Sequence, residues 1–345
     1  MDTIVIDLDG RKQSVRRGSS LKDILKDQTD AIAAVLNHHL VSLDTTVFHG
    51  VSVSTVTSQE PRGRAVLKKG AELAFQFLMG EIYPELRVEI GQSLLGGYFY
   101  QVDSPDGSEL DLRTVARRVN DEMQKLVGED RPFQRELLSL AEAMSLVNDP
   151  TASRAKLLRS WPSPRIHVVG LGGCHDFQHG VVPPSSRHLA GVEVLPFPPG
   201  LVLRFGDCCE KLNPDHGRLL MDCYQETRSW NEMIGVRTVG ELNSSVLERR
   251  FERVVRLNEA LHEKRIARIA DQICENESVR VVCIADPSAS GKSTFLQRLA
   301  IQLGVNGKAP LTISLDDYYR EREQLVEVDL ESPEALDIGL LNRHV

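Results

Sequence analysis

Alternation at a period of two opens the chain. "DTIVIDL" alternates apolar and polar residues, the turn pair Asp9-Gly10 follows, and "KQSVRRG" continues as a second short strand, which together read as a hairpin. "SSLKDILKDQ" then places Ser19 and Ser20 where a helix cap belongs and sets Leu21, Ile24 and Leu25 on one helical face. Strand-like "AIAAVLNHHL" and "VSVSTVTS" complete a β-β-α-β-β pattern over residues 1–60. From Arg62 the period changes. Leu67, Ala71, Ala74, Phe75 and Leu78 predict a helix that ends at Pro84, followed by "VEIGQSLLGGYFYQV": a strand, a glycine-rich bend and an aromatic strand. Val246, Phe251, Val254, Val255, Leu261, Ile266 and Ile269 give helical faces with a charged exterior, a solvated connector over 229–277. Finally "RVVCIA" is a continuous apolar run of the kind buried on both faces in a parallel sheet. "DPSAS" turns the chain, a helix carries Phe295, Leu296, Leu299 and Leu303 on one broad face, and "PLTISL" reads as a second buried strand.

Length and composition sharpen this outline. With 345 residues the chain is long enough for two or three domains, and 41% apolar against 26% charged residues is the balance of a folding globular chain. A net charge of −8 provides no general basic field for a polyanion, so any nucleic-acid contact must be local. The apolar runs fall short of the ~20 residues a membrane span needs. "MDTIVIDLDG" is acidic where a signal peptide would be basic, so the expectation is a cytoplasmic protein without a membrane partner. Cys174, Cys208, Cys209, Cys223, Cys274 and Cys283 form no C-x-x-C pair and read as reduced thiols. His38 and His39, as adjacent strand residues, face opposite ways and cannot share a ligand sphere. A metal centre built from Cys174, His175, His179 and His188 is weighed against plain exposed histidines beside a proline-rich turn.

The segment Asp286, Pro287, Ser288, Ala289, Ser290, Gly291, Lys292, Ser293, Thr294 has the order that phosphate binding asks for. Backbone N–H groups of a small-residue loop and a helix N-terminus converge on phosphate oxygens, Lys292 reaches the terminal phosphates, and the Ser293 hydroxyl suits Mg²⁺. Asp286 stands where glycine would let the backbone approach the anion closely, and it brings a carboxylate toward the phosphates. Asp316 closes the second apolar run, where it could accept a proton from a hydroxyl or orient a metal ion; capping is the alternative for the Asp316-Asp317 pair.

Three resemblances follow from these residues. The opening β-β-α-β-β unit, 1–60, resembles the TGS domain, a β-grasp module of threonyl-tRNA synthetases. Residues 61–228, with the long helix, "YP", "IG" and "GGYFY", resemble the second N-terminal domain of threonyl- and alanyl-tRNA synthetases, which removes wrongly attached amino acids. That chemistry uses two histidines on the helix and a later cysteine and histidine. Lys69, Leu73, Gln178 and Val182 occupy the matching positions, which implies a retained scaffold without hydrolysis. Residues 278–345, through "GKST" and "SLDDYY", are similar to the uridine kinase and phosphoribulokinase family. The resemblance implies ATP and Mg²⁺ as cofactors, a nucleoside-like acceptor, Lys292 and Asp316 as catalytic groups, Ser293 and Asp316 on the metal, and Glu331 and Tyr319 at the substrate. The expected fold class is an α+β N-terminal half, a helical connector and an incomplete α/β P-loop domain. The expected function is phosphate transfer to a nucleoside or sugar hydroxyl. Its alternative is a catalytically impaired nucleotide- or RNA-binding regulatory protein, with RNA contact through the synthetase-like domains. A doubly wound kinase sheet needs more βα units than 278–345 supplies, so a longer native chain or a degenerate domain is expected.

Overall fold

A computed structural model describes residues 2–146, 153–177, 180–205, 214–287, 289–321, 325, 329 and 332–345. They fall into two compact units, Met1–Arg249 and Arg250–Val345.

The first unit begins with the expected hairpin, β1 (Thr3–Leu8) and β2 (Arg11–Arg16), turned at Asp9-Gly10 with both residues at positive φ. β3 (Ser19–Ser20) leads into the single turn of α1 (Leu21–Ile24), where the Ser20 hydroxyl accepts the Asp23 N–H as the sequence foretold. β4 (Ala31–Leu36) and β5 (His39–Val41) form a second hairpin, and β6 (Thr46–Val47) pairs with β3. β7 (Ser52–Thr57) inserts between β1 and β4, parallel to the former, giving the order β2-β1-β7-β4-β5. Ile6, Leu21, Ala34 and Val53 fill its core. His38 sits in the β4–β5 turn at positive φ, so only His39 belongs to a strand.

α2 (Pro61–Ile82) starts on a proline that lacks the N–H a first helical turn would leave unpaired anyway. It ends before Pro84, as its spacing predicts. β8 (Arg87–Leu94) and β9 (Gly97–Asp103) turn through Leu95-Gly96, and α3 (Leu112–Glu129) is capped by Asp111. β10 (Gln134–Ser139), α4 (Leu140–Leu146) and α5 (Ser153–Arg159) precede β11 (Arg165–Leu171) and β12 (Cys174–Phe177), which complete a three-stranded sheet, β10-β11-β12. β13 (Val192–Phe197) and β14 (Gly200–Phe205) join the other sheet as β13-β14-β9-β8. α2 and α3 press Phe75, Phe77, Val119 and Met123 into a core with Tyr100, Leu171, Leu201 and Leu203 from the strands. α6 (Pro214–Ile234) and α7 (Val239–Leu247) close the unit. Arg228 and Arg237 bind Glu89 and so fasten this helical segment to β8.

Along the outer edge of β13, where backbone groups would otherwise be open, Asn120 of α3 takes the place of a neighbouring strand at Val194. Its amide donates to the Val194 carbonyl and accepts the Val194 N–H, each at 2.8 Å.

In the second unit α8 (Phe251–Glu275) and α9 (Lys292–Val305) pack through Ile266, Ala270, Leu299 and Leu303, as the spacing in both helices requires. Short 3-10 turns follow at Leu315–Tyr318 and Pro333–Ala335, and α10 (Ile338–His344) ends the chain. The two expected strands do not form: among the described residues "RVVCIA" and "PLTISL" have no strand partner. Val281 is 63% exposed and Leu311 81%. A continuous apolar run becomes a buried strand only when neighbours cover it on both faces and both edges, and this unit's described residues provide none. The α+β organisation of the first unit therefore stands, whereas the parallel sheet expected after residue 278 does not.

No described helix is long and apolar enough to cross a membrane.

Candidate functional site

Two places carry the residues singled out by chemistry. The first is the face of α2 that meets the loop after β12. Gly70 lies so close to Pro183 that an added Cβ would come within 2.5 Å of the proline ring, which fixes the loop on the helix. Of the four positions where hydrolytic groups were sought, Leu73 and Val182 are buried in one apolar core, at 4% and 5% exposure. Lys69 pairs with Glu72 at 3.0 Å, and Gln178 lies outside the described residues.

Beside this packed contact the structure gathers polar groups that the sequence reading left unassigned. Arg154, at the start of α5, donates through Nη2 to Gln76 of α2 and to Asp176 of β12, both at 3.0 Å. Burial pushes the Cys174 thiol up to about 11, with the Asp176 carboxylate adding to the shift. That thiol is a packed group and not a nucleophile. Tyr100 of β9 is buried against Phe75, their ring centres 4.5 Å apart. Burial first, then Glu72, Tyr98 and Asp176, hold its pKa well above the ordinary value, so the phenol stays protonated. Its hydroxyl has no hydrogen-bond partner among the described residues. Two residues earlier on the same face of β9, Tyr98 meets Phe205 of β14 edge to face at 5.2 Å. The Lys68 ammonium stands 5.8 Å and 5.5 Å from the two ring centres. "GGYFY" marked an aromatic strand; which of its rings would face α2 follows only from the register with β14.

Of the candidate metal set, the described members Cys174, His175 and His188 form no group that could hold a metal ion. His179 lies outside the described residues, and no cluster of three or more metal-ligating side chains occurs among those described. Burial, and then the neighbouring Arg187, lowers the His188 pKa from its ordinary value, with Asp130 opposing them.

The second place is the loop before α9. Ala289 and Gly291 both adopt positive φ, 61° and 95°. Alanine carries a Cβ penalty in that conformation, of about 1–2 kcal/mol. Lys292 folds back over the loop and donates from Nζ to the carbonyls of Asp286 and Pro287, each at 2.8 Å. Ser293 and Thr294 form the first turn of α9, and Ser290 immediately precedes its Gly291 cap. Ser288 and Glu331 lie outside the described residues. Asp316 and Asp317 sit in the 3-10 turn that follows the second apolar run. No hydrogen bond or ion pair among the described residues joins Asp316 to Lys292. Tyr319 pairs with Leu336 in an isolated bridge, while Tyr318 bonds His344 at 2.9 Å.

No family model matches the chain. Curated relatives do. The threonine–tRNA ligase of Rubrobacter xylanophilus is 29% identical over 192 residues, 54% of this chain and 29% of the relative. That of Desulfatibacillum aliphaticivorans is 25% identical over 157 residues, 46% of this chain and 24% of the relative. That of Haloquadratum walsbyi is 29% identical over 151 residues, 42% of this chain and 23% of the relative. The matches thus span less than a third of each relative's length, and they support a synthetase-like N-terminal part. They overturn the expectation of a uridine kinase or phosphoribulokinase type of transferase with a nucleoside acceptor, since the matching relatives carry the ligase name and the strands expected for a kinase sheet are not formed. Two short motifs suggested the kinase. Motifs of this size report a loop and a turn, and phosphate transfer requires a sheet to hold them face to face.

Proposed function

We propose that this chain is a threonyl-tRNA-synthetase-like protein that engages tRNA through its N-terminal unit and does not hydrolyse an aminoacyl ester there. The observation that carries the second clause is the burial of Leu73 and Val182 in one core. Ester hydrolysis needs groups that polarise water or move protons, and two aliphatic side chains packed out of solvent do neither. The first clause rests on relatives whose name says that they join threonine to tRNA. Because less than a third of each relative is matched, the proposal stops at tRNA engagement.

Filter binding of total tRNA by the purified chain tests the first clause, with a salt-dependent isotherm expected. Absence of binding at 50 mM salt rejects it, taking ~50 mM as a condition that favours phosphate contacts. Incubation with seryl-tRNA tests the second: deacylation at the uncatalysed rate is expected, and acceleration above it refutes the reading.

A separate observation favours a second reading. The Lys292 ammonium is already held over the 286–294 loop by two carbonyls, where a phosphate could replace them. In this reading Asp286, Pro287, Ser288, Ala289, Ser290, Gly291, Lys292, Ser293 and Thr294 cradle the phosphates of ATP, with Mg²⁺ on the Ser293 hydroxyl and no transfer to an acceptor. Calorimetric titration with Mg²⁺-ATP should give binding that Lys292→Ala abolishes. Equal binding by parent and variant removes the loop assignment.

A further inference from the structure

The outermost strand of the first sheet has an open edge with a pocket beside it. β2 lies at one end of the order β2-β1-β7-β4-β5 and pairs with β1 alone. The Arg17 N–H donates to the Asp2 carbonyl, and the Asp9-Gly10 turn closes on Leu8 and Arg11. Bonded and unbonded pairs alternate in an antiparallel ladder, so Arg11, Gln13 and Val15 turn their backbone groups toward β1. Lys12, Ser14 and Arg16 turn theirs outward, each presenting an N–H and a carbonyl to the next strand. Side chains alternate too. Val15 is buried, which sets Arg11 and Gln13 on the inner face with it and Lys12, Ser14 and Arg16 on the outer face. On the inner face Leu8, Asp9, Arg11, Gln13 and Gln28 line a pocket of about 330 Å³. Thr55 occupies both oxygens of the Asp9 carboxylate, through its N–H and its hydroxyl. The side chains of Arg11 and Gln13 make no hydrogen bond or ion pair among the described residues. Nor do those of Lys12 and Arg16, although Asp7 stands opposite Lys12 in the register.

We propose that β2 accepts an extended acidic peptide as a further antiparallel strand, with one of its carboxylates in the pocket beside Arg11 and Gln13 and others facing Lys12 and Arg16. Main-chain bonds to the outward groups hold such a strand, and the side chains select it. In a chain of net charge −8 this edge is a local reversal of sign, which is what an acidic partner requires. A second copy fits badly. Two β2 edges paired antiparallel about Ser14 set Lys12 against Arg16, and like charges directly opposite are destabilising. A nucleic-acid backbone fits badly as well, because phosphates accept hydrogen bonds and give the outward carbonyls no donor. The register sets the pattern of the partner: opposite Arg16, Val15, Ser14, Gln13 and Lys12 in turn, it runs Glu-Val-Thr-Glu-Glu.

The test is calorimetric titration of the full chain with a synthetic peptide built on Glu-Val-Thr-Glu-Glu, acetylated and amidated, beside its counterpart with glutamine at every glutamate. The acidic peptide should bind, and the neutral one roughly ten-fold more weakly. In the labelled protein the amide resonances of Lys12, Ser14 and Arg16 should shift more than those of Gln13 and Val15, the pattern that pairing at the outer edge gives. Ser14→Pro removes an outward N–H that β1 does not use, a position where an edge strand tolerates proline, so binding should fall roughly ten-fold with the fold kept. Lys12→Glu leaves the whole ladder intact and should weaken the acidic peptide by a similar factor, which carries the test if the proline variant unfolds. Arg11→Gln should weaken the acidic peptide and leave the neutral one unchanged. A parent that binds neither peptide at millimolar concentration, or both equally, overturns the proposal. So does a folded Ser14→Pro, or Lys12→Glu, that binds the acidic peptide as well as the parent. If Lys12→Glu and Arg16→Glu weaken tRNA and the acidic peptide does not compete with it, the edge is a nucleic-acid contact and the peptide assignment fails.

Discussion

Arg154 meets Asp176 at 3.0 Å, and the same guanidinium nitrogen holds Gln76. One side chain thereby ties the beginning of α5 to β12 and to α2. Removing it leaves a carboxylate partly withdrawn from water without its cation. Arg154→Ala should lower stability by about 1–3 kcal/mol. A shifted urea midpoint with an unchanged slope would show this, and an unmoved midpoint would mean that solvent screens the pair.

Ser186 is fully buried and serves two backbone groups near the end of α3. Its hydroxyl accepts the Arg131 N–H at 2.8 Å and donates to the Leu126 carbonyl at 2.6 Å. Ser186→Ala strands both, with an expected loss of about 2 kcal/mol. Amide exchange should quicken first at Arg131, because that proton loses its acceptor.

Glu241 and Thr238 form a reciprocal cap at the start of α7. Burial alone would raise the Glu241 pKa; the Arg237 N–H, Lys156 and the Thr238 N–H outweigh it and hold the carboxyl below its ordinary value. A depressed carboxyl stabilises the fold above its unfolded value near pH ~4.3 and loses that contribution as pH falls through the folded value. Glu241→Gln should therefore be less stable than the parent at neutral pH and approach it below that window. Parallel acid titrations of the two proteins, read by circular dichroism, check the convergence.

Thiol chemistry distinguishes exposed from packed cysteines. Cys223 and Cys283 are exposed, whereas Cys174 is raised to about 11. At pH ~8 roughly one Cys174 in a thousand is thiolate. Brief alkylation followed by peptide mass spectrometry should mark Cys223 and Cys283 and spare Cys174. A protected Cys283 would mean that "RVVCIA" is covered in solution.

How far the sequence could be read depended on whether a signal is local. The hairpin at Asp9-Gly10, the cap at Ser20 and the span of α2 are local matters of turn chemistry and helical spacing, and the structure places them where those signals do. "RVVCIA" failed because its apolar run specifies what a strand would bury and not whether other strands exist to bury it. Leu73 and Val182 were legible as missing chemistry, but their joint burial required the loop after β12 to be set on α2. Tyr98, Phe205 and Lys68 are 137 residues apart at their extremes (205 − 68), and no periodicity links them. Only the pairing of β9 with β14 brings the rings together. The unpaired Tyr100 hydroxyl has no trace in the letters at all.

The amide of Asn120 has a consequence for how the protein behaves in company. A free strand edge is a template on which another chain can crystallise into fibres. At Val194 that template is already read by a side chain of the protein's own helix, through the two amide bonds of Asn120. Those two bonds occupy the outward backbone groups of Val194, so a foreign strand pairing at that residue has to displace the Asn120 amide first.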